Sequence, residues 1–242
     1  MPKFRFALLF VGLVSVCFGC AEHKSGPALP AIAKTDPFST DLEGWSCESY
    51  LQALQLTPHD KTLKAILEIR PHAFQEPAED QDLVALSAFQ LLEKRTEAPI
   101  WRNRIHSQVA QSLKAMMQAA KDEGLELVVL SAHRSLSHQN LLWKRAIVKH
   151  RYSLQNAAFS TAPPCFSEHA SGMAVDFVAR SKPALREFST TPEYAWLKSN
   201  GQKWGWKQSF SAASGAVSHK NQPGIQIEPW HFRHNLMGLD GE

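Results

Sequence analysis

At 242 residues the chain is long enough for one large domain or for a catalytic domain carrying an extension. Hydrophobic residues at 44% beside 20% charged ones exclude a wholly disordered or fibrous chain. The formal net charge is only +3, and lysines and arginines lie scattered among acids rather than in a basic stripe, which argues against a nucleic-acid partner.

The chain opens with Lys3 and Arg5 ahead of an uncharged apolar run from Phe6 to Phe18, the pattern of an export signal over residues 1–19. That run is short for a spanning helix, which needs about 20 apolar residues. Cys17-Phe18-Gly19-Cys20 resembles a bacterial lipobox, so Cys20 is a candidate for lipidation and membrane attachment, with plain cleavage and release as the alternative. In either case Cys47 and Cys165 remain, and an exported compartment permits them to pair. Residues 20–40 carry Gly26, Pro27, Pro30 and Pro37 among small and polar residues and read as a tether.

Residues 41–97 read as a helical extension of unassigned role, with Val84, Ala88, Leu91 and Leu92 at helical spacing between Asp82 and Lys94. A clearer helix follows, with Ile105, Val109, Leu113, Met116, Met117 and Ala120 on one face and Gly124 as its stop. Leu125 to Leu130 has the short apolar, β-branched character of a buried strand and ends at Ser131-Ala132-His133-Arg134-Ser135. A helix is expected from about Leu136 to Leu154, a strand over Met173 to Val178, a helix over Glu193 to Asn200, and a final strand over Ile225 to Glu228 leading to Trp230 and His231. Trp143, Trp196, Trp204 and Trp206 read as core rather than as a sugar-stacking surface.

Zinc in hydrolases is usually held by three side chains from His, Asp, Glu or Cys, with one position left open. His169 and Asp176 stand seven apart with Gly172 between them, so a turn can carry the histidine while the next strand aims the aspartate at the same point. His231 supplies a third ligand. Glu228, three residues earlier, is placed to act as general base, with Pro229 expected to keep the intervening chain extended. Singly, each of these residues reads more simply as a surface or capping group, and only the combination points to one zinc ion.

Ser167-Glu168-His169-Ala170-Ser171-Gly172-Met173-Ala174-Val175-Asp176 resembles the SEHQTGLAVD signature of the VanY-type D-alanyl-D-alanine carboxypeptidases, relatives of VanX and of the hedgehog metal-binding domain. Glu228-Pro229-Trp230-His231-Phe232-Arg233 is similar to their EPWHFR string, and Ser131 to Ser135 with Gln139 resembles their SGYRS element. The departures are Ala132 and His133 for glycine and tyrosine, Ala170 and Ser171 for glutamine and threonine, and Cys165 for a glycine after Pro-Pro. No proposed ligand and no proposed base is altered. Cys165, Ser171 and His133 are expected to line the cleft or pack beside it.

The resemblance covers residues 98–242 and implies an α+β fold: a small, mainly antiparallel sheet bearing the zinc site, flanked by helices over about 103–123 and 135–154. It implies that His169, Asp176 and His231 hold the metal and that Glu228 serves as catalytic base. Arg134 would stabilise an oxyanion or grip substrate, while Ser167 and Gln139 would contact the peptide. The implied activity is removal of the terminal D-alanine from peptidoglycan stem peptides. Within the enzyme class the alternatives are an L,D-carboxypeptidase or a cross-link endopeptidase. Outside it stands a wall-binding module with structural zinc, against which a water-facing Glu228 argues. Oligomeric state is left open.

Overall fold

The computed structural model describes residues 46–56, 78–87, 90–91, 103–218 and 224–237. The expected leader, the tether and Cys20 lie outside the described residues, as does much of the extension over 41–97. Among the described residues no helix is long and apolar enough to cross a membrane.

Five helices are labelled here: α1 (Cys47–Leu56), α2 (Ser107–Asp122), α3 (Leu136–Lys149), α4 (Leu154–Ser160) and α5 (Pro192–Asn200). The strands are β1 (Leu83–Ala85), β2 (Arg104–His106), β3 (Leu127–Ser131), β4 (Ala174–Ala179), β5 (Trp206–Gln208) and β6 (His231–His234). β1 and β2 form a two-stranded sheet, and the remaining four form an antiparallel sheet in the order β3-β4-β6-β5. The α+β class and the mainly antiparallel sheet are as the sequence implies.

Helix α2 starts where the His106 ring accepts from the Gln108 amide at 3.3 Å, and Gly124 at φ +80° follows its end. It buries Val109, Leu113, Met116, Met117 and Ala120, the face expected from their spacing. Ile105 instead belongs to β2, although it joins the same core. That core takes Val129 from β3, Val175 and Phe177 from β4, and Phe232 from β6, so one face of the sheet packs on α2. Strand alternation sends the intervening Asp176, His231 and Arg233 to the opposite face. Every residue of β4 is buried, because both faces of this central strand are covered.

A second cluster joins α1 to α3 and α4 through Tyr50, Trp143, Ala157 and Phe166. Trp143 and Trp206 are fully buried and Trp196 nearly so, in keeping with a core role. Cys47 and Cys165 form a disulfide across 118 positions of sequence, with a Cα–Cα distance of 5.5 Å. This bond ties α1 to the loop that leads into Ser167-Glu168-His169.

Four expectations are corrected. The helical pattern from Asp82 is a single 3-10 turn (Asp80–Asp82) followed by β1, because Leu83 turns inward against the main-chain turn at Gly172 while Val84 stays exposed. Residues 88–89 and 92–94 of that pattern lie outside the described residues. The helix expected over 136–154 is two helices: Arg151 and Tyr152 both take positive φ, and Ser153 caps a new start by accepting from Asn156 N. The final strand is His231–His234 rather than 225–228, where only Gln226 makes an isolated bridge, to Val217. Lastly, Pro229 does not hold the chain extended. His231 N donates to Glu228 O at 3.2 Å, closing a turn with proline at its second position.

Closing a loop of this length restricts the unfolded chain, and such bonds typically stabilise by about 2–4 kcal/mol. Replacing both Cys47 and Cys165 by serine is expected to lower the unfolding free energy by about that amount. Urea denaturation of the two proteins checks it, and coincident curves would show that the link adds no stability.

Candidate metal centre and cleft

The site is assembled by register. In the β4–β6 pair Asp176 lies opposite His231, and in the β3–β4 pair Ser131 lies opposite Asp176 after a bulge between Val129 and Ser131. The extra residue on β3 re-aims its end toward the site face, as bulges commonly do. Arg134 follows three residues later and is fastened by its own amide to His169 O at 3.0 Å.

His169 sits in the 3-10 turn Glu168–Ser171, where Ser171 Oγ donates to Glu168 O at 2.7 Å and accepts from Met173 N at 3.1 Å. Gly172 ends that turn at φ +70°. A Cβ there would come within 2.8 Å of Leu83 Cδ2 and 3.1 Å of His106 N, so both conformation and close packing require glycine. The His169 Nδ1–H donates to Ala132 O at 2.7 Å, which leaves Nε2 facing Asp176 Oδ2 at 3.2 Å. Ala132 acts through its carbonyl, so its side chain is immaterial to this contact.

His231 is held on both edges. Its Nδ1 is 3.0 Å from Asp176 Oδ1, and its Nε2–H donates to Glu168 Oε2 at 2.8 Å. Phe210 stacks on the ring with centroids 5.0 Å apart. Glu168 is itself fixed by Ser209 Oγ, which donates at 2.6 Å, and by Arg233 Nε at 3.9 Å. Glu168 is a contributor that motif reading passed over. The only hint in the sequence was an acid beside a ligand, because its partner lies 63 positions away.

One ligand atom from each of His169, Asp176 and His231 lies within 4.8 Å of the others, and all three residues are buried. Tetrahedral zinc with bonds of about 2.0–2.1 Å places its ligand atoms about 3.3 Å apart. Asp176 meets the two rings through different oxygens, Oδ1 at 3.0 Å from His231 and Oδ2 at 3.2 Å from His169, each contact close to that spacing. The donor set, with both outer ring nitrogens already committed to Ala132 O and Glu168, fits a zinc ion.

The electrostatics are those of a cation site. Burial alone would raise the pKa of Asp176, but His169 and His231 hold it well below the usual carboxylate range. Glu168 is likewise held low by His231, Ser209 and Arg233 against the effect of burial. Burial would lower His231, yet its bonds to Asp176 and Glu168 push it up to about 10. His169 is lowered, chiefly by burial, with Asp176 opposing.

Arg134, Ser167, Glu168, His169, Asp176, Glu228 and His231 all line one cleft of about 350 Å³. Glu228 Oε2 stands 4.0 Å from His231 Nδ1, on the metal side of that ring. The Arg134 guanidinium donates to Gln139 Oε1 at 2.8 Å and to Ser131 Oγ at 3.1 Å, and lies 3.8 Å from Asp176 Oδ2. Gln139 is buried behind it, its amide donating to Ala162 O at 2.5 Å, so it is placed to orient Arg134 rather than to meet a ligand. His133, Cys165 and Ser171 do not line the cleft. His133 packs beside Arg104 with its pKa lowered to about 4 by burial and by that arginine, and Cys165 is consumed by the disulfide.

A buried His, Asp, His donor set facing a glutamate and an arginine across an open cleft defines the metallopeptidase class. The chain belongs to the VanY D-alanyl-D-alanine carboxypeptidase family, whose model matches residues 102–237. It is 27% identical over 221 residues to YodJ of Bacillus subtilis (strain 168), a candidate carboxypeptidase, covering 88% of this chain and 74% of that protein. It is 26% identical over 128 residues to a D-alanyl-D-alanine carboxypeptidase of Enterococcus faecium, covering 52% of this chain but only 36% of that enzyme. Among solved structures it resembles the LdcB LD-carboxypeptidase, with a TM-score of 0.56 and 27% identity over 67% of this chain and 72% of that one.

Glu168→Gln removes the charge that steadies His231 and is expected to weaken zinc binding by about 10- to 100-fold. Competition against a chelator of known affinity measures it, and unchanged affinity would remove Glu168 from the site's support. A second prediction concerns protons. The bonds of His231 to Asp176 and Glu168, which push its pKa up to about 10 against burial, favour the charged ring, whereas burial favours the neutral form of His169. Zinc must displace the His231 proton, so affinity should rise by about tenfold per pH unit from neutrality toward that value. Calorimetry in buffers of different ionisation enthalpy should report about one proton released near pH 7.5, and none released would contradict the assignment.

Proposed function

We propose that the protein is a zinc-dependent D-alanyl-D-alanine carboxypeptidase that removes the terminal D-alanine from peptidoglycan stem peptides. The observation that carries this reading is Glu228 facing the same point as the three converging donor atoms of His169, Asp176 and His231, with Arg134 fixed across the cleft. A zinc ion held by those three residues would supply Lewis acidity to the peptide carbonyl and acidify a water molecule. Glu228 takes a proton from the water as its oxygen bonds to the carbonyl carbon. The same carboxyl returns that proton to the amide nitrogen as the C–N bond breaks, so the products are a free amine and a carboxylic acid, whose proton passes to the amine or to solvent. No covalent enzyme intermediate is involved.

Arg134 donates to the developing oxyanion or to the peptide's terminal carboxylate. Its bonds to Gln139 and Ser131 hold the guanidinium in place beforehand, which is what makes such a donor effective. Ser167, buried on the cleft wall, adds a hydroxyl toward the peptide terminus. A second reading, L,D-carboxypeptidase action on a stem peptide one residue shorter, is favoured by the likeness to LdcB. Export suits either substrate. The leader, with Cys20 available for lipid attachment, and the Cys47–Cys165 disulfide support a location in the cell envelope.

Incubating the zinc-loaded protein with defined penta- and tetrapeptide stems, with products read by mass, tests the reading. Loss of one D-alanine from the pentapeptide alone is expected, and cleavage confined to the tetrapeptide would favour the second reading. Glu228→Gln should retain zinc while lowering kcat by about 10²- to 10⁴-fold. Full turnover in that variant would overturn the assignment of the base.

A further inference from the structure

The cleft extends well beyond the metal centre. Part of its lining is one face of α3, formed by Leu142, Arg145, Ala146 and Lys149. Leu142 and Ala146, and likewise Arg145 and Lys149, stand four residues apart, so the four positions share a stripe. Arg145 and Lys149 are both exposed, and among the described residues no carboxylate pairs with either. Lys149, in the last turn of α3, suits the helix dipole by itself. Arg145 lies a full turn earlier and gains little from that dipole.

The charges within the cleft are therefore segregated. Glu168, Asp176 and Glu228 belong to the metal centre, while Arg145 and Lys149, which line the same cleft, come from the C-terminal half of α3 and have no carboxylate partner among the described residues. Gln139, which holds Arg134, sits on the same helix. From Gln139 to Arg145 the helix rises about 9 Å, and to Lys149 about 15 Å, at roughly 1.5 Å per residue. An extended peptide advances about 3.3 Å per residue, so a chain held at Arg134 and running along α3 would pass Arg145 about three residues upstream, with the long Lys149 side chain one helical turn beyond.

We infer that Arg145 and Lys149 form a carboxylate-reading subsite, selecting peptides that carry a free acidic group two or three residues before the scissile bond. This rests on the carboxypeptidase reading only for the direction in which the peptide lies. Arginine and lysine on one helix face attract a carboxylate from solution and bind it with two or more charge-assisted hydrogen bonds, which an amide in the same place cannot match. Leu142 and Ala146 would cover the aliphatic part of the side chain that bears it.

The test uses two N-acetylated peptides ending in D-alanyl-D-alanine that differ only in whether the acidic group upstream is free or amidated. The wild-type protein is expected to favour the free acid by tenfold or more in kcat/KM, mainly through KM. The Arg145→Gln/Lys149→Gln double variant should lose that preference while changing kcat/KM for the amidated peptide by less than twofold. Equal treatment of both peptides by the wild-type protein, or an equal loss on both in the variant, would overturn the subsite. Calorimetric binding of the corresponding shortened product peptides provides a readout independent of cleavage. If neither peptide is cut yet the free acid binds more tightly in an Arg145- and Lys149-dependent way, the carboxypeptidase reading fails and the subsite stands. If neither form binds, or both bind alike, the subsite falls.

Discussion

The imidazole of His231, gripped by Asp176 on one edge and Glu168 on the other, is the contact on which the site depends. Buried carboxylates are costly unless a cation and hydrogen bonds satisfy them, and here two share one ring. Their bonds to the ring favour its charged form and raise the pKa of His231 above the ordinary histidine value against the effect of burial. A zinc ion held by His169, Asp176 and His231 would supply the balancing positive charge in place of a ring proton. Glu168 then keeps the outer Nε2–H oriented, so the ring is aimed correctly before and after the exchange. Removing either carboxylate would leave the other with a partner it cannot fully satisfy.

Two features of the sheet bring these groups together. Antiparallel pairing of β4 with β6 sets Asp176 opposite His231, and a one-residue slip would send one of them into the core with Val175, Phe177 and Phe232. The tight packing of those aromatic and β-branched side chains on α2 therefore protects the register, and with it the metal site. The bulge in β3 performs the complementary task by bringing Ser131, and after it Arg134, to the same face. Catalytic geometry is thus inherited from core packing on the reverse of the sheet.

The candidate ligands and the glutamate proposed as base were legible because each is confined to a short string whose local structure is self-determined. His169 needs a turn and a glycine within three residues, and Glu228 needs only the proline turn that precedes His231. Glu168 was not legible, since its importance arises from a partner brought near by the sheet. The same is true of Gln139, whose amide spans Arg134 and Ala162 O and so lies behind the cleft rather than in it. The break between α3 and α4 was hidden for another reason. No glycine or proline marks it, and Arg151 and Tyr152 adopt positive φ despite their side chains. The β1–β2 pair escaped because three-residue strands are too short to show a period against a neighbouring helical pattern.

The loop before the metal turn shows how a departure from the family pattern can be accommodated. Cys165 replaces a glycine that the resembling family usually has there, and its φ of +65° explains why glycine is favoured. A non-glycine residue in that region costs on the order of 1–3 kcal/mol. The disulfide to Cys47 contributes on the order of 2–4 kcal/mol, enough to offset that strain, and it brings α1 with it. Tyr50 of that helix is fully buried in the cluster that also holds Trp143 and Phe166, so the covalent link is backed by packing. The turn bearing Glu168 and His169 is therefore restrained on both sides, by Cys165 before it and by the close fit of Gly172 against Leu83 and His106 after it. Because α1 and β1 supply those restraints, the residues ahead of the family-matched segment support the same turn that carries the candidate metal ligand His169.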